Sequence, residues 1–307
     1  MSAVTAEQVT PARAWMLAAR PATLPAATVP VIIGLGAALS DGAALRPLVF
    51  VVTLASALLI QIGTNFANDY SDFHRGADHD GRLGPLRVTQ SGLISHDDVR
   101  RGIFTAFGVA ALLGSYLVLV GGWPIIAIGI LSIVCGLAYT GGPWPFGYHG
   151  LGDAFVFIFF GLVAVTGTAY LQSGVWSSLA LSASVPAGLL VTNILVINNL
   201  RDLPTDAAAG KNTLAVRIGD RATRVQYALF TAIAYAIPAV LALRGSAPGR
   251  SWLLLPFVSL PLAFGLVRSV LGGMAGRDLN PMLRRTGLLL LSFGLLFSAG
   301  LILARAH

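Results

Sequence analysis

A row of polar side chains begins at residue 65 and could lie on one face of a helix. Asn65, Asp69 and Asp72 are spaced i, i+4, i+7, and Asn68 stands four residues before Asp72. Residues three or four apart are neighbours on a helix surface. If the preceding apolar segment continues as a helix, these side chains share one face, and their like charges repel one another.

A second segment further along the chain repeats this pattern with Asn198, Asp202 and Asp206, which are spaced i, i+4, i+8. Clustered carboxylates require a counter-ion, and hard oxygen ligands without His or Cys favour Mg²⁺ or Ca²⁺. Mg²⁺ in proteins is commonly held by one or two carboxylates together with substrate phosphates. The two segments are therefore typical of a site for a metal-bound phosphate.

Basic residues are interleaved with both acidic segments. They are Arg75, Arg82, Arg87, Arg201 and Lys211, the last being the only lysine in the chain. Guanidinium groups bind phosphate oxygens in pairs, so carboxylates, a metal and arginines together describe a diphosphate site. The alternative is that all of these charges are solvated loop residues. The matching Asn-xxx-Asp pairs in the two segments favour a site.

The composition of the whole chain places this chemistry in a membrane. Of the 307 residues, 55% are hydrophobic and only 11% are charged, whereas a soluble domain carries about a quarter charged residues. A soluble enzyme, a disordered protein and a nucleic-acid-binding domain are all disfavoured, despite the net charge of +7. The single cysteine, Cys135, excludes an internal disulfide framework and a thiolate-rich metal site.

The apolar segments predict an all-α, polytopic membrane protein with nine transmembrane helices in one bundle around a central cavity. Each span needs about 20 apolar residues, and Gly, Pro and Ser fall where helical hairpins would turn. The whole chain, 1–307, forms a single domain, since its longest polar stretch, 65–100, has the length of a functional loop. The expected spans are 22–40, 47–64, 102–120, 124–140, 153–171, 178–198, 223–243, 251–271 and 286–304.

The basic residues predict a cytoplasmic N-terminus, because cytoplasmic loops carry an excess of Lys and Arg. In this orientation the acidic residues of both segments also lie inside, whereas Asp41 lies outside. The basic residues left outside are Arg46, Arg244, Arg250 and Arg305. Both acidic segments are then on the cytoplasmic side, where the active site is expected.

At the two acidic segments the sequence resembles the UbiA-type intramembrane prenyltransferase superfamily. Asn68-Asp69-Tyr70-Ser71-Asp72 is similar to its first aspartate-rich motif, and Asp202-Leu203-Pro204-Thr205-Asp206 to its second. Further segments, at 19–25, 84–92, 139–152 and 198–219, resemble the branch that prenylates 1,4-dihydroxy-2-naphthoate in menaquinone synthesis.

This resemblance implies a Mg²⁺-dependent reaction at the inner membrane of a bacterium. A polyprenyl chain passes from a polyprenyl diphosphate to 1,4-dihydroxy-2-naphthoate, with loss of CO₂ and diphosphate. Mg²⁺ and Arg would stabilise the charge on the departing diphosphate. The expected partners are these two substrates and the lipid bilayer, and no nucleic acid.

The resemblance also implies roles for individual residues. The expected metal ligands are Asn68, Asp69, Asp72, Asp78, Asp202 and Asp206. The expected catalytic residues are Asp72, Asp202, Asp206 and Lys211. The expected substrate-binding residues are Arg20, Asn65, Arg75, Arg87, Tyr139, Asn199 and Arg201. Tyr139 would line the acceptor pocket or stabilise a cation through its ring face, although it could equally be an interfacial aromatic residue.

Two alternatives remain open at this stage. The first is a member of the same superfamily with another acceptor, such as 4-hydroxybenzoate, haem or a phosphorylated sugar. The second is a cation-coupled transporter, whose binding site would lie near the bilayer midplane. The expected spans carry no charge in their middles, which disfavours a transporter.

Overall fold

A computed structural model of the chain describes residues 9–75, 83–84, 87–244 and 248–306. This part of the chain is helical and contains no strand, as the composition predicts. Its α-helices are α1 (Pro11–Ala19), α2 (Pro25–Ser40), α3 (Pro47–His74), α4 (His96–Gly121), α5 (Trp123–Ala138), α6 (Gly152–Val156), α7 (Ala164–Ser173), α8 (Ser178–Ala208), α9 (Leu214–Arg244), α10 (Leu260–Leu271) and α11 (Leu279–Ala306).

Seven helical stretches in the described residues are long and apolar enough to cross a membrane. They are Pro47–His74, His96–Gly121, Gly152–Ser173, Ser178–Ala208, Leu214–Arg244, Pro248–Leu271 and Gly276–Arg305. The helical segments Pro11–Thr23 and Pro25–Ser40, which meet at a bend of 50°, are together also long and apolar enough to cross a membrane. Counted as one span, they bring the number of spans in the described residues to eight. The protein is therefore a multi-pass membrane protein.

The remaining expected span, 124–140, corresponds to α5, which is apolar but has only 16 residues. At a rise of about 1.5 Å per residue it is shorter than the apolar core of a bilayer, about 30 Å thick. Each expected span thus coincides with an apolar helix, and nine is an approximate count of the crossings.

The helix that contains the second expected span, 47–64, extends beyond residue 64. α3 continues without a break to His74, so the first acidic segment belongs to this helix and not to a loop. In the same way α8 continues past residue 198 to Ala208 and carries the second segment. The acidic residues are therefore positioned by the rigid ends of two long helices.

A break between α1 and α2 turns the chain beside the end of α3. Arg20 caps α1 in the left-handed conformation with φ 52°, and Pro21 and Pro25 follow it. Proline fixes its own φ and cannot donate a backbone N–H, so it starts a helix more readily than it continues one. This break places the Arg20 side chain next to the first acidic segment.

The core of the bundle is formed by α2, α7, α8, α9 and α11. Large side chains such as Ile33, Tyr227 and Phe293 are completely buried there. Elsewhere in the bundle Gly161 lies against the backbone of Gly188 in α8. Small residues allow helices to approach closely in membranes, where association depends on packing more than on the hydrophobic effect.

Candidate active site

The two acidic helix ends line one cavity of about 410 Å³. α3 and α8 both supply residues to the wall of this cavity. Of the sequence-predicted residues, the cavity is lined by Arg20, Asn65, Asn68, Asp72, Arg87, Tyr139, Asn199, Asp202, Asp206 and Lys211. The structure thus brings together two segments that lie far apart in the sequence.

Three side chains contact the Asp72 carboxylate in the cavity. Its Oδ2 accepts a hydrogen bond of 2.8 Å from Arg87 Nη2. Its Oδ1 accepts from the Tyr148 hydroxyl at 2.5 Å and lies 3.4 Å from Lys211 Nζ. Only 2% of Asp72 is exposed, and a buried carboxylate is costly unless it is paired. The two cations and the phenol provide that pairing.

Asp69 points away from the cavity, although it stands three residues before Asp72 on the same helix. Its Oδ2 accepts hydrogen bonds from the Thr89 backbone N–H at 3.1 Å and from Thr89 Oγ1 at 2.7 Å. Its Oδ1 lies 3.5 Å from Arg87 Nη1 and 4.0 Å from Arg20 Nη2. Asp69 therefore fastens the chain at 87–89 to α3 and orients two arginines.

The two asparagines of the first segment are held by neighbouring elements. Asn68 Oδ1 accepts a 2.8 Å hydrogen bond from Thr140 Oγ1, after the end of α5. Asn65 Nδ2 donates to the Ala19 carbonyl at 2.9 Å and to Thr23 Oγ1 at 3.2 Å. Asn65 thus ties α3 to the break between α1 and α2.

Arg201 contacts protein groups through each of its nitrogens. Its Nε and Nη2 bind the two oxygens of Asp202 at 2.8 and 2.5 Å. Its Nη2 also donates to Asn198 Oδ1 at 2.8 Å, and its Nη1 to Asn280 Oδ1 at 3.0 Å. Arg201 is only 1% exposed and does not line the cavity, whereas Asp202 does.

The chain after α8 folds back over the cavity and places Lys211. Gly210 takes a positive φ of 72°, which glycine adopts without strain. The Lys211 backbone N–H donates to the Asp206 carbonyl at 2.9 Å, and the Asn212 N–H donates to the Tyr148 carbonyl at 3.0 Å. Lys211 Nζ then lies 4.6 Å from the centre of the Tyr148 ring, within range of a cation–π contact.

Arg75 is a further predicted residue that does not line the cavity. Arg75 is exposed at the end of α3, where its guanidinium donates to the Gly142 carbonyl. Its Cζ lies 5.9 Å from the centre of the Tyr148 ring. Asp78 lies outside the described residues, and its expected metal contact therefore stays a prediction.

A second, apolar cavity of about 440 Å³ adjoins the first. It is lined mainly by α3, α4, α5, α7 and the π-helical segment Phe157–Val163. Residues that line both cavities form a neck between them; these are Gln61, Thr64, Tyr139, Val156 and Phe160. From this neck the apolar cavity reaches Thr53 and Leu171, toward the opposite end of the bundle.

The profile of the UbiA prenyltransferase family matches residues 27–274. The chain belongs to this family.

Relatives of this UbiA-family protein cover almost all of its length. The 1,4-dihydroxy-2-naphthoate octaprenyltransferase of Mycobacterium tuberculosis H37Rv is 42% identical over 290 residues, covering 94% of this chain and 96% of the relative. The Escherichia coli K12 protein of the same name is 36% identical over 308 residues, covering 98% and 99%.

Solved structures share the fold of this UbiA-family protein. A UbiA homolog from Aeropyrum pernix K1 superposes with a TM-score of 0.66 at 18% identity, covering 91% of this chain and 96% of the homolog. A homolog from Archaeoglobus fulgidus bound to DMAPP and Mg²⁺ has a TM-score of 0.61 at 15% identity, covering 92% and 99%. At these identities the likeness establishes the fold.

The side chains of this UbiA-family protein fit a metal held jointly with a phosphate substrate. Within the described ranges, no three His, Cys, Asp or Glu side chains are close enough to hold a metal ion. Asp72 and Asp202 instead line one cavity together, each paired with a cation. Mg²⁺ commonly takes one or two carboxylates and completes its shell with substrate phosphates and water. The oxygen donors suit that arrangement and not a cage made by protein alone.

Sequence reasoning misses several residues of this site. Tyr148 contacts Asp72, Thr140 contacts Asn68, and Thr89 contacts Asp69. Tyr148 stands in a Gly-rich segment that carries the family resemblance, and this is the one signal that points to it. The spacing of residues in the sequence does not point to Thr140 or Thr89, because their partners Asn68 and Asp69 lie on another element, α3.

Proposed function

We propose that this protein transfers a polyprenyl chain from a polyprenyl diphosphate to 1,4-dihydroxy-2-naphthoate, with loss of CO₂ and diphosphate. The observation that carries the proposal is the joining of two cavities at one neck. One is polar and lined by paired carboxylates and cations, and the other is apolar. The relatives named for this reaction span nearly the whole chain.

In this proposal the polar cavity binds the diphosphate. Asn68, Asp72, Asp202 and Asp206 would hold Mg²⁺, and Arg20, Arg87 and Lys211 would contact the remaining phosphate oxygens. Bound Mg²⁺ stabilises negative charge that develops on the leaving diphosphate. The cations already lie beside the carboxylates, so the substrate enters a site whose charges are arranged in advance.

The apolar cavity would take the prenyl chain and keep water away from the reacting carbon. Breaking the C–O bond to diphosphate leaves an allylic cation, which water would otherwise capture. A new C–C bond to the acceptor ring consumes this cation. Tyr139 lines the neck where the two cavities meet, so its ring is placed to face the cation or the acceptor.

Asp69 and Arg201 have supporting roles in this proposal. Asp69 orients Arg20 and Arg87 and anchors Thr89. Arg201 holds the Asp202 carboxylate in place. Neither residue lines the polar cavity, so both would act through their neighbours.

The decisive experiment compares acceptors. Purified protein with Mg²⁺ and a polyprenyl diphosphate should convert 1,4-dihydroxy-2-naphthoate to a demethylmenaquinone, and EDTA should abolish the product. Formation of product with 4-hydroxybenzoate and none with the naphthoate would refute the proposed acceptor.

Substitution of the acidic residues tests the proposed metal side of the site. Asp72→Ala and Asp206→Ala should each lower kcat about a hundredfold or more, because transition-state charge is no longer stabilised. Asp97→Ala is the matched control, since Asp97 is exposed and pairs only loosely with Arg100 at 3.8 Å. Near-normal activity in both site variants would contradict the metal assignment.

We further propose a bacterial inner-membrane location with a cytoplasmic N-terminus, which puts the polar cavity on the cytoplasmic side. The excess of basic residues on that side supports it. Labelling of a cysteine introduced at exposed Asp97 by an impermeant reagent tests it in a Cys135→Ser background. The label should react with inside-out vesicles only, and reaction in intact cells would reverse the orientation.

A further inference from the structure

Asn280, at the start of α11, joins two parts of the site while belonging to neither acidic segment. Its Oδ1 accepts a hydrogen bond of 3.0 Å from Arg201 Nη1. Its Nδ2 donates to the Leu83 carbonyl at 3.0 Å. One amide therefore connects the arginine that holds Asp202 with the chain that follows the first acidic segment.

The orientation of this amide is determined by its partners. A guanidinium N–H can only donate, and a backbone carbonyl can only accept. The Asn280 oxygen must therefore face Arg201, and its nitrogen must face Leu83. Reversing the amide would break both bonds, so the side chain has a single arrangement that satisfies both neighbours.

The contact to Arg201 matters because that guanidinium is buried. Arg201 is 1% exposed, and an unpaired donor of a buried charged group has a large desolvation cost. If Asn280 Oδ1 is removed, Arg201 Nη1 loses its acceptor. The guanidinium must then shift to find another partner, and Asp202, bound through both of its oxygens, must shift with it.

We propose that Asn280 is a positioning residue for prenyl transfer. It fixes Arg201, and through Arg201 the Asp202 carboxylate, and it holds the backbone at Leu83 against α11. This inference rests on the proposed function, because Asp202 is there a ligand of the metal–diphosphate complex. The C-terminal helix thus takes part in the site without contacting the substrate.

Two variants separate the two contacts of Asn280. Asn280→Ala removes both, whereas Asn280→Asp keeps an acceptor for Arg201 and loses the donor to Leu83. Arg284→Ala is the control, since Arg284 is exposed one turn further along the same helix. The measurements are Mn²⁺ binding by electron paramagnetic resonance in the presence of inorganic diphosphate, then kcat and KM, and thermal unfolding in detergent.

Asn280→Ala should weaken Mn²⁺ binding about fivefold or more and lower kcat about tenfold, since small displacements of catalytic groups are costly. The KM for the naphthoate should remain within about twofold, because Asn280 does not line either cavity. Asn280→Asp should bind Mn²⁺ nearly as the unmodified protein does, with a smaller loss of kcat, because the Arg201 contact is retained.

Unchanged Mn²⁺ binding and kcat in Asn280→Ala would overturn the inference, as would equal losses in Arg284→Ala. If Asn280→Ala does not fold, the Asn280→Asp variant tests the inference instead. This variant keeps an acceptor for Arg201, so a loss of Mn²⁺ binding of more than about fivefold would contradict the positioning role of that contact. A failure of the proposed function is recognised separately. In that case the unmodified protein binds Mn²⁺ with diphosphate but does not prenylate the naphthoate.

Discussion

At the scale of single residues, the site is organised by the way each carboxylate is neutralised. Asp72 is paired with Arg87 and Lys211, which line the cavity. Asp202 is paired with Arg201, which is buried and does not line the cavity. Charges in a poorly solvated environment need such partners.

We expect the hydrogen bond from the Tyr148 hydroxyl to the Asp72 carboxylate to contribute to the reaction. Tyr148→Phe removes a 2.5 Å hydrogen bond to the carboxylate and keeps the ring beneath Lys211. A hydrogen bond to a charged group contributes about 1.5–3 kcal/mol. We therefore expect kcat/KM for the polyprenyl diphosphate to fall about tenfold or more.

Steady-state kinetics with varied diphosphate substrate measures this effect. Tyr116→Phe serves as the control, because Tyr116 lines neither of the two cavities. Equal kcat/KM values for the two phenylalanine variants would show that the Tyr148 hydroxyl has no part in the reaction.

At the scale of elements, the irregular span Gly152–Ser173 positions the neck. Its middle, Phe157–Val163, is a π-helix, a form often found at functional sites. Phe160 from this segment lines both cavities, while Gly161 faces α8. A Cβ added at Gly161 would lie 2.7 Å from the Gly188 Cα atom. The close approach of two backbones therefore fixes where the π-helix presents its side chains.

Gly161→Ala should consequently destabilise the protein. Overpacking of a close contact costs about 1–3 kcal/mol, more than the gain in helix propensity from Gly to Ala. Thermal unfolding in detergent should show a lower midpoint for this variant. Gly265→Ala, on α10 with no atom within 4 Å of the added Cβ, should be neutral or slightly stabilising. A midpoint for Gly161→Ala at or above that of Gly265→Ala would contradict the packing argument.

At the level of the whole molecule, a polar and an apolar cavity adjoin each other within the bundle. The polar cavity lies at the end where the acidic segments of α3 and α8 meet, and the apolar cavity extends from it toward the opposite end. A substrate with a charged head and a hydrocarbon tail can occupy both at once. This division follows from the position of the charged residues, which are confined to helix ends and connections.

Filling the apolar cavity should affect long prenyl chains more than short ones. Gly129 lines this cavity and has no atom within 4 Å of an added Cβ. Gly129→Leu should therefore lower kcat/KM for a long polyprenyl diphosphate about tenfold, with a smaller effect on geranyl diphosphate.

Gly108→Leu is the matched control, since Gly108 is equally open but does not line the cavity. Competition between the long polyprenyl diphosphate and geranyl diphosphate gives the ratio of their kcat/KM values directly. An unchanged preference in Gly129→Leu would exclude this cavity as the binding site of the prenyl chain.

The helical, membrane-spanning character of the chain and the two acidic faces can be predicted from the amino-acid sequence. Both follow from local patterns: apolar runs long enough to cross a bilayer, and Asn and Asp residues at helical spacing. The pairing of the two segments in one site could be anticipated from their similarity. The position of the helix ends could not, because the groups that Asn65 and Asp69 contact at the end of α3 come from other parts of the chain.

The tertiary structure alone decided which of the predicted residues face the cavity. Asp69 and Asp72 belong to one acidic motif, yet Asp69 turns to Thr89 and Asp72 to the cavity. Arg201 satisfies its donors within the protein, one of them on Asn280 of the last helix. These choices depend on contacts between residues far apart in the sequence. Helical spacing places side chains on one face, but the partner that each one meets is set by the packing of other helices.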